Sequence, residues 1–115
     1  GITRNLNDLA NRARAKKLQP AEVQGATFTI TNPGVFGSLM GTPIINQPQV
    51  AIMGVGAIEK RPKVITGADG EDTIAIRTCS YFSISFDHRL VDGATADGFL
   101  AYVKKQLETF PDTAL

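Results

Sequence analysis

His88 is the only histidine in the 115 residues, and it stands in Asp87-His88-Arg89-Leu90-Val91-Asp92-Gly93, between a strand-like run and a helix-like run. Imidazole is the side chain that most readily exchanges a proton near neutral pH. A single copy in a sharp loop with a carboxylate on each side is therefore a candidate general base. The competing reading is a satisfied loop histidine beside an ordinary Asp-Gly turn. Asp92 has its own plain alternative, a helix N-cap whose side-chain oxygen satisfies free amides. Asp87 and Arg89 either orient the loop or simply face solvent.

The elements that must position this loop follow from apolar spacing. Residues 81–86 set Phe82, Ile84 and Phe86 against Tyr81, Ser83 and Ser85, the two-residue period of a strand that delivers His88. After Gly93, the residues Phe99, Leu100, Val103 and Leu107 recur at helical spacing with Lys104, Lys105 and Glu108 outward. Gly98 within this helix costs about 1 kcal/mol relative to alanine, which points to close packing there. Phe110-Pro111-Asp112 ends the helix and leaves a short tail.

Upstream, residues 26–31 alternate Phe28 and Ile30 with Thr27, Thr29 and Thr31, a half-buried strand that ends with Thr31 on its polar face. Asn32-Pro33-Gly34 stops it. Glycines 34, 37 and 41 let the following loop either approach a ligand or make a tight connection. Residues 49–58 form a nearly continuous apolar run, expected to be a central strand, closed by Glu59-Lys60-Arg61-Pro62. Val64-Ile65-Thr66 then leads through a polar turn into residues 73–78, a structural hairpin. Residues 3–17 place Leu6, Leu9, Ala10 and Ala13 on one side of a helix and Arg4, Asp8, Arg12 and Lys16 on the other, a helix expected only to pack. Pro20 is suited to start a short turn over Ala21-Glu22-Val23.

Composition narrows the classes. With 43% apolar and 20% charged residues the chain has the balance of one globular domain, and a net charge of +1 gives no reason to expect nucleic acid. The basic clusters at 12–17 and 60–63 read as solvated faces. No apolar run is long enough for a bilayer, and Gly1-Ile2-Thr3-Arg4 carries no secretory pattern, so no membrane association is expected. Cys79 is the only cysteine, which rules out an internal disulfide and fits a reducing compartment. It is expected to be a buried, inert thiol. Repeats, low-complexity tracts, phosphate loops and metal-binding cysteine-histidine sets are absent from the sequence.

The motif 87–93 resembles the signature of the acyltransferase component of 2-oxo acid dehydrogenase complexes, the dihydrolipoyllysine-residue acyltransferases. His88 followed by Asp92-Gly93 is also shared with a wider superfamily that includes chloramphenicol acetyltransferases. Phe28-Thr29-Ile30-Thr31-Asn32-Pro33-Gly34-Val35-Phe36-Gly37-Ser38 and Thr42-Pro43-Ile44-Ile45-Asn46-Gln47-Pro48-Gln49 look like the family's other active-site segment.

The resemblance implies an α/β chain of α+β sandwich type with the chloramphenicol acetyltransferase-like, CoA-dependent acyltransferase fold, a mixed sheet with flanking helices. Residues 1–115 would be the carboxyl-terminal part of that catalytic domain. It further implies direct acyl transfer between a dihydrolipoyl arm, carried on a separate domain, and coenzyme A as substrate, without a metal. His88 would be the general base, Thr31 the oxyanion donor and Asp92 the holder of the catalytic loop. The site would lie between subunits of a homotrimer that builds a larger core. Partners would be the dehydrogenase and dihydrolipoamide dehydrogenase components, in the bacterial cytoplasm or the mitochondrial matrix.

The block at 32–49 looks closest to succinyl-transferring members, with acetyl and branched-chain specificity as alternatives. Two other readings stay open: a non-catalytic assembly fragment of the same domain, and an acetyltransferase acting on a small amine or hydroxyl.

Overall fold

The computed structural model describes residues 1–111 and 113. The chain runs α1 (Ile2–Arg14), a 3-10 turn at Pro20–Val23, β1 (Thr29–Thr31), a second 3-10 turn at Pro33–Phe36, β2 (Ala51–Val55), β3 (Glu59–Thr66), β4 (Asp72–Cys79), β5 (Phe82–Phe86) and α2 (Gly93–Glu108).

The apolar run expected to be central becomes β2, the middle of a three-stranded sheet in the order β1-β2-β5. β1 lies parallel to β2, with Thr29 beside Ile52 and Thr31 beside Gly54. β5 lies antiparallel on the other side, with Ser83 beside Gly54 and Phe86 beside Ala51. Because side chains alternate along each strand, this register defines two faces. Ile30, Met53 and Ile84 share one face, and Thr31, Gly54 and Ser83 share the other.

α2 packs on β5, and its Phe99 meets Phe28 edge-on with ring centroids 5.6 Å apart. Among the described residues, Ala51, Ile52 and Met53 of β2, with Ala96 of α2, are the buried hydrophobic side chains. Residues 38–49 pass over the opposite, hydroxyl-bearing face. There Ser83 Oγ donates to the Gly41 carbonyl at 2.5 Å, and Thr29 Oγ1 donates to Gln49 Oε1 at 2.6 Å. The peptide between Gln47 and Pro48 is cis.

Several expectations change. In β1 the threonine side is the covered one: Thr29 and Thr31 are half-buried while Ile30 is 63% exposed. The cover comes from a segment distant in sequence, which local alternation does not encode. Glu59-Lys60-Arg61-Pro62 does not merely close β2; it begins β3, which pairs with β4 from Glu59 opposite Cys79 to Thr66 opposite Asp72. Pro62 is tolerated because β3 has a partner on one side only, so its missing N–H removes no second ladder.

Gly98 is not a site of close packing, since a Cβ there would meet nothing within 4 Å. Cys79 ends β4 half-buried rather than buried.

α1 stops at Arg14, short of residue 17, where Lys16 takes a left-handed backbone with φ 56°. Leu6 and Leu9 remain exposed, so this helix does not pack as expected. Arg12, partly exposed, is the charge that ties this helix down. Its Nε donates to Asp8 at 2.9 Å and its two terminal nitrogens donate to Glu22 at 2.7 Å each, which holds the Glu22 carboxyl down to about 2.

Candidate active site

The loop carrying His88 is built by its neighbours. Strand β5 continues one residue past its end, as the Asp87 N–H donates to the Val50 carbonyl at 2.8 Å. The Asp87 carbonyl then accepts the N–H groups of Leu90 and Val91, both at 3.0 Å, which turns the chain sharply. Meanwhile the Asp87 carboxylate accepts from Arg89 three times: the backbone N–H at 3.1 Å, Nε at 2.9 Å and a terminal nitrogen at 2.7 Å. Those bonds from Arg89 hold the Asp87 carboxyl at about 2, well below the usual carboxylate range.

At the other side of His88, Asp92 is the N-cap of α2, as its plain reading anticipated. Its Oδ1 accepts the Thr95 N–H at 2.7 Å. The Asp92 carboxyl is lowered chiefly by hydrogen bonds from Thr95, with the nearby His88 a smaller cause. Both carboxylates flanking the histidine are thus committed to shaping the loop. His88 itself is exposed, one side of its ring against Phe86 at a centroid distance of 5.4 Å.

Thr31 is the last residue of β1 and opens into a cavity of about 380 Å³ lined by Thr31, Pro33, Gly41, Thr42, Pro43, Ile44 and Ile52. The glycines beside it divide their roles. Gly34 lies so close to the Gly56 backbone, and Gly56 to the Leu39 carbonyl, that a side chain on either would overlap main chain. These positions are tight crossings that hold residues 38–44 over the sheet. Gly37 takes the left-handed turn, φ 87°, that ends the second 3-10 turn. Gly41 is the one that lines the cavity.

The family resemblance already set Pro43 and Ile44 in an active-site segment, but the sequence carried no signal for Ile52 as a cavity wall, nor for the Ser83 hydroxyl as the tie that holds Gly41. Among the described residues no group of three His, Cys, Asp or Glu is placed to hold a metal, and no helix is long and apolar enough to cross a membrane.

Thr31 and His88 are not brought together within one chain. Thr31 lies level with Gly54 and Ser83, whereas His88 follows Phe86, which lies level with Ala51 three rows away and two strands across. At about 3.3 Å per residue and about 4.8 Å per strand, the two are separated by roughly 15 Å or more. The hydroxyl and the imidazole occupy opposite ends of the same sheet.

The whole chain, residues 1–115, matches the 2-oxoacid dehydrogenases acyltransferase (catalytic domain) family. The dihydrolipoyllysine-residue acetyltransferase component of the pyruvate dehydrogenase complex of Mycobacterium bovis is 48% identical over 108 residues, 94% of this chain and 20% of its own length. The dihydrolipoyllysine-residue succinyltransferase component of the 2-oxoglutarate dehydrogenase complex of Bacillus subtilis is also 48% identical over 108 residues, 94% of this chain and 25% of its own length.

Among solved structures, the dihydrolipoamide acetyltransferase of Azotobacter vinelandii superposes with a TM-score of 0.84 at 36% identity, covering 99% of this chain and 45% of that one. It was investigated for the role of a serine, a histidine and an asparagine in its catalytic mechanism. The cubic core of a pyruvate dehydrogenase multienzyme complex gives 0.82 at 36% identity, covering 97% of this chain and 44% of that one. The chain belongs to the 2-oxoacid dehydrogenase acyltransferase family and spans a quarter or less of the length of these two curated relatives.

Proposed function

We propose that residues 1–115 form the carboxyl-terminal part of an acyltransferase catalytic domain, of the chloramphenicol acetyltransferase-like type, that moves an acyl group between a dihydrolipoyl arm and coenzyme A. The observation that carries this reading is the opposed placement of Thr31 and His88 on one sheet. An exposed base at one end and a half-buried hydroxyl at a cavity on the other are two halves of a site, completed when a second copy presents its own loop. A closed ring of copies, the homotrimer, brings every loop to a neighbouring cavity. The cubic core among the structural relatives supports building such rings into a larger particle, which would bind the dehydrogenase and dihydrolipoamide dehydrogenase components.

The chemistry follows from those two groups. His88 takes the proton from the coenzyme A thiol, raising the thiolate that attacks the acyl-dihydrolipoyl carbonyl carbon. The carbonyl oxygen gains the negative charge and accepts a hydrogen bond from the Thr31 hydroxyl. Collapse of the tetrahedral adduct breaks the bond to the lipoyl sulfur, and that thiolate takes the proton back from His88. One thioester forms as the other breaks, with no net oxidation.

Asp92 fixes the start of α2 and hence the base. The Azotobacter vinelandii relative supports this, since the histidine and asparagine studied there are separated by three residues, as His88 and Asp92 are.

The test is transfer from acetyl-, succinyl- and isobutyryl-dihydrolipoamide to coenzyme A by the full-length protein and its His88→Ala variant. The exposed ring contributes little packing, so the variant is expected to keep its fold and to lose about 100- to 10,000-fold in rate. Absence of transfer from every donor by the unaltered protein, or full activity without the imidazole, overturns the reading.

A further inference from the structure

We infer that Ser83 is a positioning residue for the Thr31 hydroxyl, acting through the Gly41 carbonyl; this rests on the acyl-transfer reading above. The cavity beside Thr31 has walls from two sources. Thr31, Pro33 and Ile52 belong to the sheet and its adjoining turn, whereas Gly41, Thr42, Pro43 and Ile44 belong to the segment that crosses over it. How that segment is held down therefore sets the space in which a thioester carbonyl meets the hydroxyl.

It is held at few points. At one end the Ser38 carbonyl accepts the Ala57 N–H at 2.8 Å, and at the other the Gln49 side chain accepts the Thr29 hydroxyl at 2.6 Å. Between them, among the described residues, the bond from Ser83 Oγ to the Gly41 carbonyl at 2.5 Å is the only hydrogen bond that joins residues 39–48 to the sheet.

Ser83, Gly54 and Thr31 lie level across the three strands. Gly54 leaves the room for the tie, because a Cβ there would stand 2.7 Å from Ser83 Oγ and 3.4 Å from Pro43 Cδ. The second distance is ordinary contact, so Pro43 rests over bare backbone between the two hydroxyl residues. The first is an overlap that would turn the serine oxygen away from Gly41. Without the tie the Gly41 carbonyl loses its partner and the wall facing Thr31 is released, and a misplacement of about 1 Å is enough to slow an oriented reaction severely.

The full-length protein is assayed with whichever of the three acyl-dihydrolipoamide donors it uses fastest. Ser83→Ala is expected to lower kcat by about 10-fold with KM for coenzyme A little changed, and Ser83→Thr, which keeps a hydroxyl on the same carbon, to regain most of that loss. A merely structural serine would slow the enzyme equally in any background, so the deciding measurement is the cycle with Thr31→Val. If Ser83 acts through the Thr31 hydroxyl, Ser83→Ala costs less than about 2-fold once that hydroxyl is gone. Gly54→Ala keeps the serine but displaces its oxygen; it is expected to reproduce the loss and to add little to Ser83→Ala. Should Ser83→Ala not fold, Gly54→Ala in the same cycle decides.

An equal loss with and without the Thr31 hydroxyl overturns the inference and leaves the transferase reading standing, as does a Ser83→Ala enzyme at full rate. Thr31→Val at full rate overturns both the inference and the oxyanion role on which it rests.

Discussion

The guanidinium of Arg89 reaches back across His88 to the carboxylate of Asp87, Nε to Oδ1 at 2.9 Å and the terminal nitrogen to Oδ2 at 2.7 Å. The ion pair closes a loop of three residues around the one histidine of the chain. On the proposed reading His88 is a base that must meet a thiol delivered from elsewhere, and this clamp would restrain its loop on the side that α2 does not hold.

The clamp has a defined pH window. Arg89 lowers the Asp87 carboxyl from 3.8 to about 2, so what the pair contributes to loop order is fully present above the ordinary carboxylate range and is lost as pH falls through about 2. Titrating the Asp87 carboxyl by NMR is expected to give a midpoint near 2; a midpoint near 4 means the clamp is open in solution. Asp87→Asn is expected to lower kcat by about 10-fold, through a less well-directed His88.

Asp92 acts through an oxygen atom more than through its charge, because what it accepts is the Thr95 amide proton at 2.7 Å. Asp92→Asn keeps an oxygen in that position and is expected to retain the melting temperature and most of the activity. Asp92→Ala removes the cap and is expected to lower Tm by a few degrees and to reduce kcat with it. Equal loss of activity in both variants, with Tm unchanged in the asparagine form, would make the negative charge the essential feature.

Thr31→Val replaces a hydroxyl by a methyl of similar shape at a half-buried position. The hydroxyl is expected to matter only when charge builds on the carbonyl oxygen. Steady-state kinetics should then show kcat lower by about 100-fold or more with KM for both thiol substrates little changed. A raised KM at unchanged kcat would make Thr31 a binding residue.

Much of the site's frame was legible in the chain. The alternation of Phe82, Ile84 and Phe86 marks the strand that delivers His88, and the apolar run through Ile52 and Met53 marks the central strand. Asp92 before Gly93 reads as a cap and is one. These signals are local, set by the period of a strand or by the first turn of a helix.

What stayed hidden depends on contacts between distant segments. The threonine face of β1 is covered because Pro43 and Ile44 return over it, tied down by Ser83. Leu6 and Leu9 declare an amphipathic helix, yet periodicity does not say what, if anything, covers them. The charged stretch at Lys60 and Arg61 resembles a loop and is strand because Thr78 and Arg77 lie opposite. That Thr31 and His88 sit at opposite sheet ends follows from β1 running parallel and β5 antiparallel to β2, which residue types alone do not reveal.

The central claim, a site shared between copies, is tested most directly by mixing two inactive variants. Thr31→Val chains keep the imidazole and His88→Ala chains keep the hydroxyl, so in an equal, random co-assembly about one site in four unites both intact groups across a boundary. Regain of about a quarter of the unaltered activity is the expected result. A mixture as inactive as either variant alone would mean that base and hydroxyl must come from the same chain, and would contradict the claim.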